Sequence, residues 1–176
     1  MSVESSPTTV PETLLVLLSN AQTDDAFTYI EALHLLDSEP RLASYRDLSG
    51  RRWTPLHAAC DRSAPRAVIR NLLRAYPPAA SLADEEGNTP LHIAAWRLGG
   101  SGPAALRDLI DAHPPAATSV DWYGNTPLHL ACMQGAGAEV VRALLSGEGR
   151  AAEADGDYGG GGEDGGGGHR GPESPQ

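Results

Sequence analysis

No lysine occurs in this 176-residue chain; all 13 basic residues are arginine. That absence excludes Schiff-base chemistry and side-chain acetylation, and an arginine-biased codon usage accounts for it. Only two cysteines are present, Cys60 and Cys132, which suits a reducing compartment. The longest uninterrupted aliphatic run is Leu14 to Leu18, far below the ~18 residues of a membrane helix. No basic residue precedes that run, which argues against a secretory signal. The expectation is an intracellular protein, placed in the cytoplasm with the nucleus also open, and with no membrane insertion. Positive charge is scarce too: 23 acids face 13 arginines, for a net charge of −10. Phosphate backbones repel such a chain, so nucleic acid is not expected as a partner.

Glycine and proline are plentiful instead, at 20 and 14 residues. Twelve of the glycines lie after Ser146. The same stretch, 147–176, holds seven acids against Arg150 and Arg170, so it carries −5 of the −10. It reads as a flexible, Gly-rich acidic tail, and residues 1–12 as a flexible N-terminus.

Between these ends the sequence repeats. Pro40, Pro77 and Pro114 stand 37 residues apart, as do Asp47, Asp84 and Asp121, and Leu35, Leu72 and Leu109. Thr-Pro-Leu-His begins at Thr54, Thr89 and Thr126. The first unit has two extra residues between its Asp and Thr, around Arg51-Arg52-Trp53. The second has a longer loop, Leu98 to Gly102. Such length changes belong to surface loops on a fixed scaffold.

Each unit has the same physical reading. Asp at the first place and Gly at the fourth, as in Asp84-Glu85-Glu86-Gly87, fit a type I turn. Thr89 then caps a helix with Pro90 at its first position, and that helix runs to about Arg97. A second helix spans Arg66 to Tyr76 in the first unit, with Val68, Ile69, Leu72 and Leu73 at helical spacing and Arg66, Arg70 and Arg74 opposite. Pro77-Pro78 and Pro114-Pro115 stop the second helices. Upstream, Thr13 to Ser19 and Asp24 to Asp37 form a degenerate helix pair lacking Thr-Pro-Leu-His. Downstream, Asp157-Tyr158-Gly159-Gly160 starts a further turn that no capping motif follows.

The Asp-x-x-Gly turn, the Thr-Pro-Leu-His motif with its Ala-Ala or Ala-Cys, and the aliphatic second helix together resemble the ankyrin repeat. Pro-Pro-Ala-Ala after the second helix departs from the family, which usually has Gly-Ala there. The resemblance implies an all-α, ankyrin-like solenoid of stacked helix-turn-helix repeats with short β-hairpin or turn tips. Its expected divisions are a capping repeat over 13–46, then repeats over 47–83, 84–120 and 121–146.

The repeating residues read as scaffold: Thr54, Pro55, Leu56 and His57; Thr89, Pro90, Leu91 and His92; Thr126, Pro127, Leu128 and His129. One histidine per repeat places the three about 10 Å apart, whereas zinc ligands must converge within about 2 Å of one ion. No metal, cofactor or catalytic group is expected. Cys60 and Cys132 occupy equivalent positions two repeats apart, too far for a disulfide, and both are expected to be buried.

Function must lie in positions that differ between copies. By the resemblance these line a concave surface: Leu48, Ser49, Arg51, Arg52, Asp61 and Arg62 in the first unit; Glu85, Glu86, Asn88, Trp96 and Arg97 in the second; Trp122, Tyr123, Asn125, Met133 and Gln134 in the third. The tips differ in chemistry. Arg51-Arg52 either contact a partner or neutralise Glu85-Glu86 one repeat on. Adjacent Trp122 and Tyr123 on an exposed turn are the expected anchors for another protein, with Trp96 beside them or packed into its neighbour. The expected role is a protein-protein interaction module, adaptor or scaffold, that catalyses nothing. Alternatives are a structural or assembly segment of a larger or self-associating repeat protein, or a regulator of a partner enzyme. Val140, Val141, Leu144 and Leu145 would leave the last repeat without a polar cap, a route to self-association.

Overall fold

A computed structural model of the chain describes residues 13–21, 26–47, 50–97 and 102–155. The expected flexible N-terminus, the turn at Asp157, Leu48, Ser49 and most of the Leu98–Gly102 loop lie outside the described residues. Among those described, the structure is helical with no strand.

The helices pair. Short first helices are α1 (Thr13–Asn20), α3 (Pro55–Asp61), α5 (Pro90–Trp96) and α7 (Pro127–Met133), and second helices are α2 (Ala26–Ser38), α4 (Arg66–Ala75), α6 (Pro103–Ala112) and α8 (Ala138–Asp155). First helices pack on first helices and second on second, in chain order, which makes a two-layer stack.

The periodicity explains the layers. In α4, Val68, Ile69, Leu72 and Leu73 are buried while Arg66, Arg70 and Arg74 are exposed. The side chains of Leu56, Leu91, Leu72, Leu106, Leu109, Ile110 and Leu144 are fully buried, each worth roughly 1.5–3 kcal/mol. Small residues allow the first helices to approach: Ala58, Ala59 and Cys60 in α3 and Ala94 and Ala95 in α5 are all buried.

The double prolines do more than stop a helix. Tyr76, extended as a residue before proline must be, ends α4, and Pro77–Ser81 then forms a 3-10 turn with Ala79 and Ala80 buried. Pro114–Ala117 repeats this with Ala116 and Ala117 buried, and Pro40–Ser44 buries Leu42 and Ala43. The Pro-Pro-Ala-Ala departure is thus a compact, alanine-lined corner that directs the chain back to the next tip.

The last boundary needs correction. The structured part does not end at Ser146, because α8 continues to Asp155. Gly147 is buried within it, and a Cβ there would stand 3.0 Å from Ile110 and 3.1 Å from the Ala117 side chain. Ala151 is also fully buried, and Arg150 pairs with Asp111 of α6. Gly147 therefore permits close contact between α8 and the Pro114–Ala117 corner, rather than marking where order stops. Val140 and Leu144 are covered, but Leu145 stays exposed.

Candidate functional site

Each tip is built around its aspartate. The Asp84 carboxylate accepts hydrogen bonds from the Glu86 N–H at 2.9 Å and the Asn88 N–H at 2.8 Å. The Asp84 N–H donates to the Asn88 carbonyl at 2.8 Å, closing a hairpin-like turn. Gly87 sits at φ +82°, a conformation open to glycine at little cost. Asp121 repeats the arrangement with Tyr123 and Asn125, both at 2.8 Å, and Gly124 takes φ +80°. Burial alone would raise the Asp121 carboxyl, but the bonds from Asn125 and Tyr123 hold it below its ordinary value. In the longer first tip the same left-handed place falls to Arg52, at φ +59°, a strain of about 1–2 kcal/mol for a residue with a Cβ.

The tips are also joined to one another. The Glu85 N–H donates to the Arg51 carbonyl and the Trp122 N–H to the Glu86 carbonyl, each at 3.0 Å. Trp53 Nε1 donates to the Asp84 carboxylate at 3.2 Å. Neighbouring tips therefore hold a fixed spacing.

The histidines complete the frame. Thr54 N–H donates to His57 Nδ1 at 3.1 Å, with the Thr54 hydroxyl 2.8 Å from the same nitrogen. An amide can only donate, so Nδ1 is unprotonated and Nε2 carries the hydrogen. Nε2 then donates to the Asn88 carbonyl of the next tip at 3.3 Å. His92 does the same with Thr89 and, at 3.2 Å, with the Asn125 carbonyl. Burial pushes the His57 pKa down to about 4 against the opposing pull of Asp84, and burial likewise lowers His92. His129 keeps the bonds with Thr126 but is exposed.

Cys132 corrects an expectation in the same way. Cys60 is buried and its thiol pushed up by that burial, whereas Cys132 is exposed. The difference is the stack: α5 covers α3, but no further described repeat covers α7.

Between tips and first helices lies a groove of about 620 Å³. It brings together Arg51, Asp61, Glu85, Glu86, Asn88, Trp96, Arg97, Tyr123, Asn125 and Met133 of the expected set. Tyr123 is 78% exposed and Trp96 42%. Trp122, Arg52, Arg62 and Gln134 do not line it. Trp122, though 74% exposed, lies against the preceding tip, where a Cβ on Gly87 would come within 2.8 Å of its Cδ1.

The charged tips do not neutralise one another among the described residues. The Arg51 guanidinium stands 4.9 Å from the centroid of the Trp53 ring. Arg97 pairs instead with Asp61 on α3, at 2.5 Å.

Sequence reasoning gave the groove residues Asp84, His92 and Asp121 only a frame role, and it missed Trp53, Ile93 and Leu130. Their signals were available. Trp53 holds the register place of Asn88 and Asn125, and Ile93 and Leu130 follow the motif histidine where the first copy has Ala58. No three or more His, Cys, Asp or Glu among the described residues are grouped to hold a metal, and no described helix is long and apolar enough to cross a membrane.

Comparison with known families agrees with the geometry. A family model described as ankyrin repeats in many copies matches residues 42–94, and one for the ankyrin repeat matches residues 123–155. The second match ends where α8 ends. No curated protein matches the chain significantly. Ankyrin repeats are in general protein-protein interaction modules and are typically non-enzymatic. In register, in helix pairing and in sequence, residues 42–94 and 123–155 of this chain are ankyrin repeats.

Proposed function

We propose that this chain binds another protein through the groove between its tips and first helices, as an adaptor or scaffold. The observation that carries the reading is the division of labour within each repeat. Asp, Gly, Thr, Pro, Leu and His hold the frame, and the groove displays side chains the frame does not use, chiefly Tyr123, Trp96 and Met133. Aromatic side chains on a rigid support lose little conformational freedom when a partner covers them. Trp122 belongs to the outer edge of this surface, where it can extend the contact beyond the groove.

The test is an affinity comparison of the intact chain with a Trp96→Ala/Tyr123→Ala variant, using a partner captured with the intact chain. Loss of the two anchors should weaken binding by at least about 2 kcal/mol, a hot-spot effect. Equal affinity in the folded variant overturns the reading.

A role in assembly is the second reading, and the face of the last helix pair that no described repeat covers favours it. His129, Cys132 and Leu145 are exposed there, while the equivalent His57, His92 and Cys60 are buried. A molar mass by light scattering that rises with concentration supports self-association; a constant monomer mass removes it.

A further inference from the structure

We propose that the occupant of the groove is a short peptide segment that places an arginine or lysine beside an apolar side chain. This rests on the groove reading above and assigns the partner's chemistry. The apolar half of the site is the surface made by Ile93, Leu130, Trp96 and Met133. Removing such a surface from water favours an aliphatic or aromatic anchor.

The cationic half follows from which carboxylates are already committed. Asp84 and Asp121 hold the tip N–H groups, and Asp61 is paired with Arg97. Among the described residues, Glu86 is met only by the Asn88 amide, at 3.3 Å. No hydrogen bond or ion pair among the described residues reaches the Glu85 carboxylate. Two exposed carboxylates therefore face an aromatic and thioether surface, a pairing that suits a cation carried on an apolar stem. The groove already shows this preference, since the Arg51 guanidinium lies over the Trp53 ring at 4.9 Å.

Two other occupants fit poorly. The chain's own residues 156–176 carry Asp157, Glu163, Asp164 and Glu173 against Arg170, and the two glutamates repel them. Strand addition to the tips is also disfavoured, because the Arg51 and Glu86 carbonyls already accept the N–H groups of the next tip. Recognition then falls to side chains.

The experiment pans a displayed library of random peptides on the full-length chain. Enriched sequences are synthesised and their affinities measured for the parent, for Glu85→Gln/Glu86→Gln and for Trp96→Ala/Met133→Ala, with circular dichroism confirming that each variant is folded. The expected peptides join Arg or Lys to an apolar neighbour and lose about tenfold in affinity with either variant. They should also weaken as NaCl rises from about 0.05 M to about 0.5 M. Peptides that lose affinity with Trp96→Ala/Met133→Ala yet ignore Glu85→Gln/Glu86→Gln overturn the cation and leave the groove reading standing. Peptides indifferent to both variants overturn both. Failure to enrich any peptide overturns a peptide occupant, and competition by a synthetic 156–176 peptide overturns the choice in favour of the tail.

Discussion

Three copies of one histidine in three environments give a test of the frame that needs no partner. His57 is buried with Nδ1 accepting from Thr54 and Nε2 donating to Asn88. Protonation would place the ring's second hydrogen at Nδ1, where only an acceptor fits, and would bring a charge into the core. The folded-state value of about 4 lies below the 6.5 of a free histidine. The unfolded chain therefore binds this proton first as pH falls. Stability from the neutral ring is fully present above pH 6.5 and is lost as pH drops through the folded value, a total of about 3 kcal/mol. At pH 5 the unfolded histidine is protonated while the folded one is not, and the loss is already about 2 kcal/mol. Urea unfolding at pH 7.5 and pH 5 measures it. His57→Gln cannot titrate in this range, so its loss over the same interval should be smaller by about 2 kcal/mol. Direct titration of the three imidazoles by NMR adds a second check: His57 should be neutral at pH 5, and His92 should titrate below its ordinary value. A His57 that titrates near 6.5, or a Gln variant as acid-sensitive as the parent, refutes the reasoning.

Other perturbations probe the tips and the last helix. Gly124→Ala, at φ +80° with nothing within 4 Å of the new Cβ, should cost about 1–2 kcal/mol for the backbone alone. Gly87→Ala has the same backbone demand and also drives Trp122 away, so its unfolding midpoint should fall further; equal losses would show that Trp122 does not rest on Gly87. In α8 the two glycines should respond with opposite signs. Gly149→Ala meets no neighbour among the described residues and should stabilise by up to about 1 kcal/mol through helix propensity. Gly147→Ala presses on Ile110 and Ala117 and should destabilise. A stabilising Gly147→Ala would mean that α8 does not lie on that corner.

Much of the frame could be read from the spacing of residues, because a motif repeated at 37 residues dictates the same turn, cap and helix each time. The Thr-Pro start of α3, α5 and α7 and the apolar stripe of α4 were legible for that reason. The extent of α8 was not: glycine lowers helix propensity, and only the packed Ile110 and Ala117 show why Gly147 belongs inside a helix. Burial at the end of the stack was also hidden. Cys60 and Cys132 look equivalent in register, and the difference depends on whether a next repeat covers them. In the groove, register located Tyr123, Trp96 and the glutamates. It could not separate Trp122 from Tyr123, since adjacent tip residues diverge and only the folded tip shows which one meets the groove.

The tip-to-tip bonds have a consequence for how such a surface can change. Apart from the Trp53–Asp84 side-chain bond, they run through backbone N–H and carbonyl groups at Arg51, Glu85, Glu86 and Trp122, so the side chains at those four positions take no part in them. In each five-residue tip from Asp to Asn, as at 84–88 and 121–125, the side chains at the two positions after the aspartate are thus outside this hydrogen-bonded frame, Trp122 touching it only where it lies against Gly87. The Glu-Glu and Trp-Tyr pairs could be exchanged or randomised as a four-position library while Asp, Gly and Asn preserve the turn. The molecule separates the code it displays from the ruler on which the code is written, and a new specificity requires no new fold.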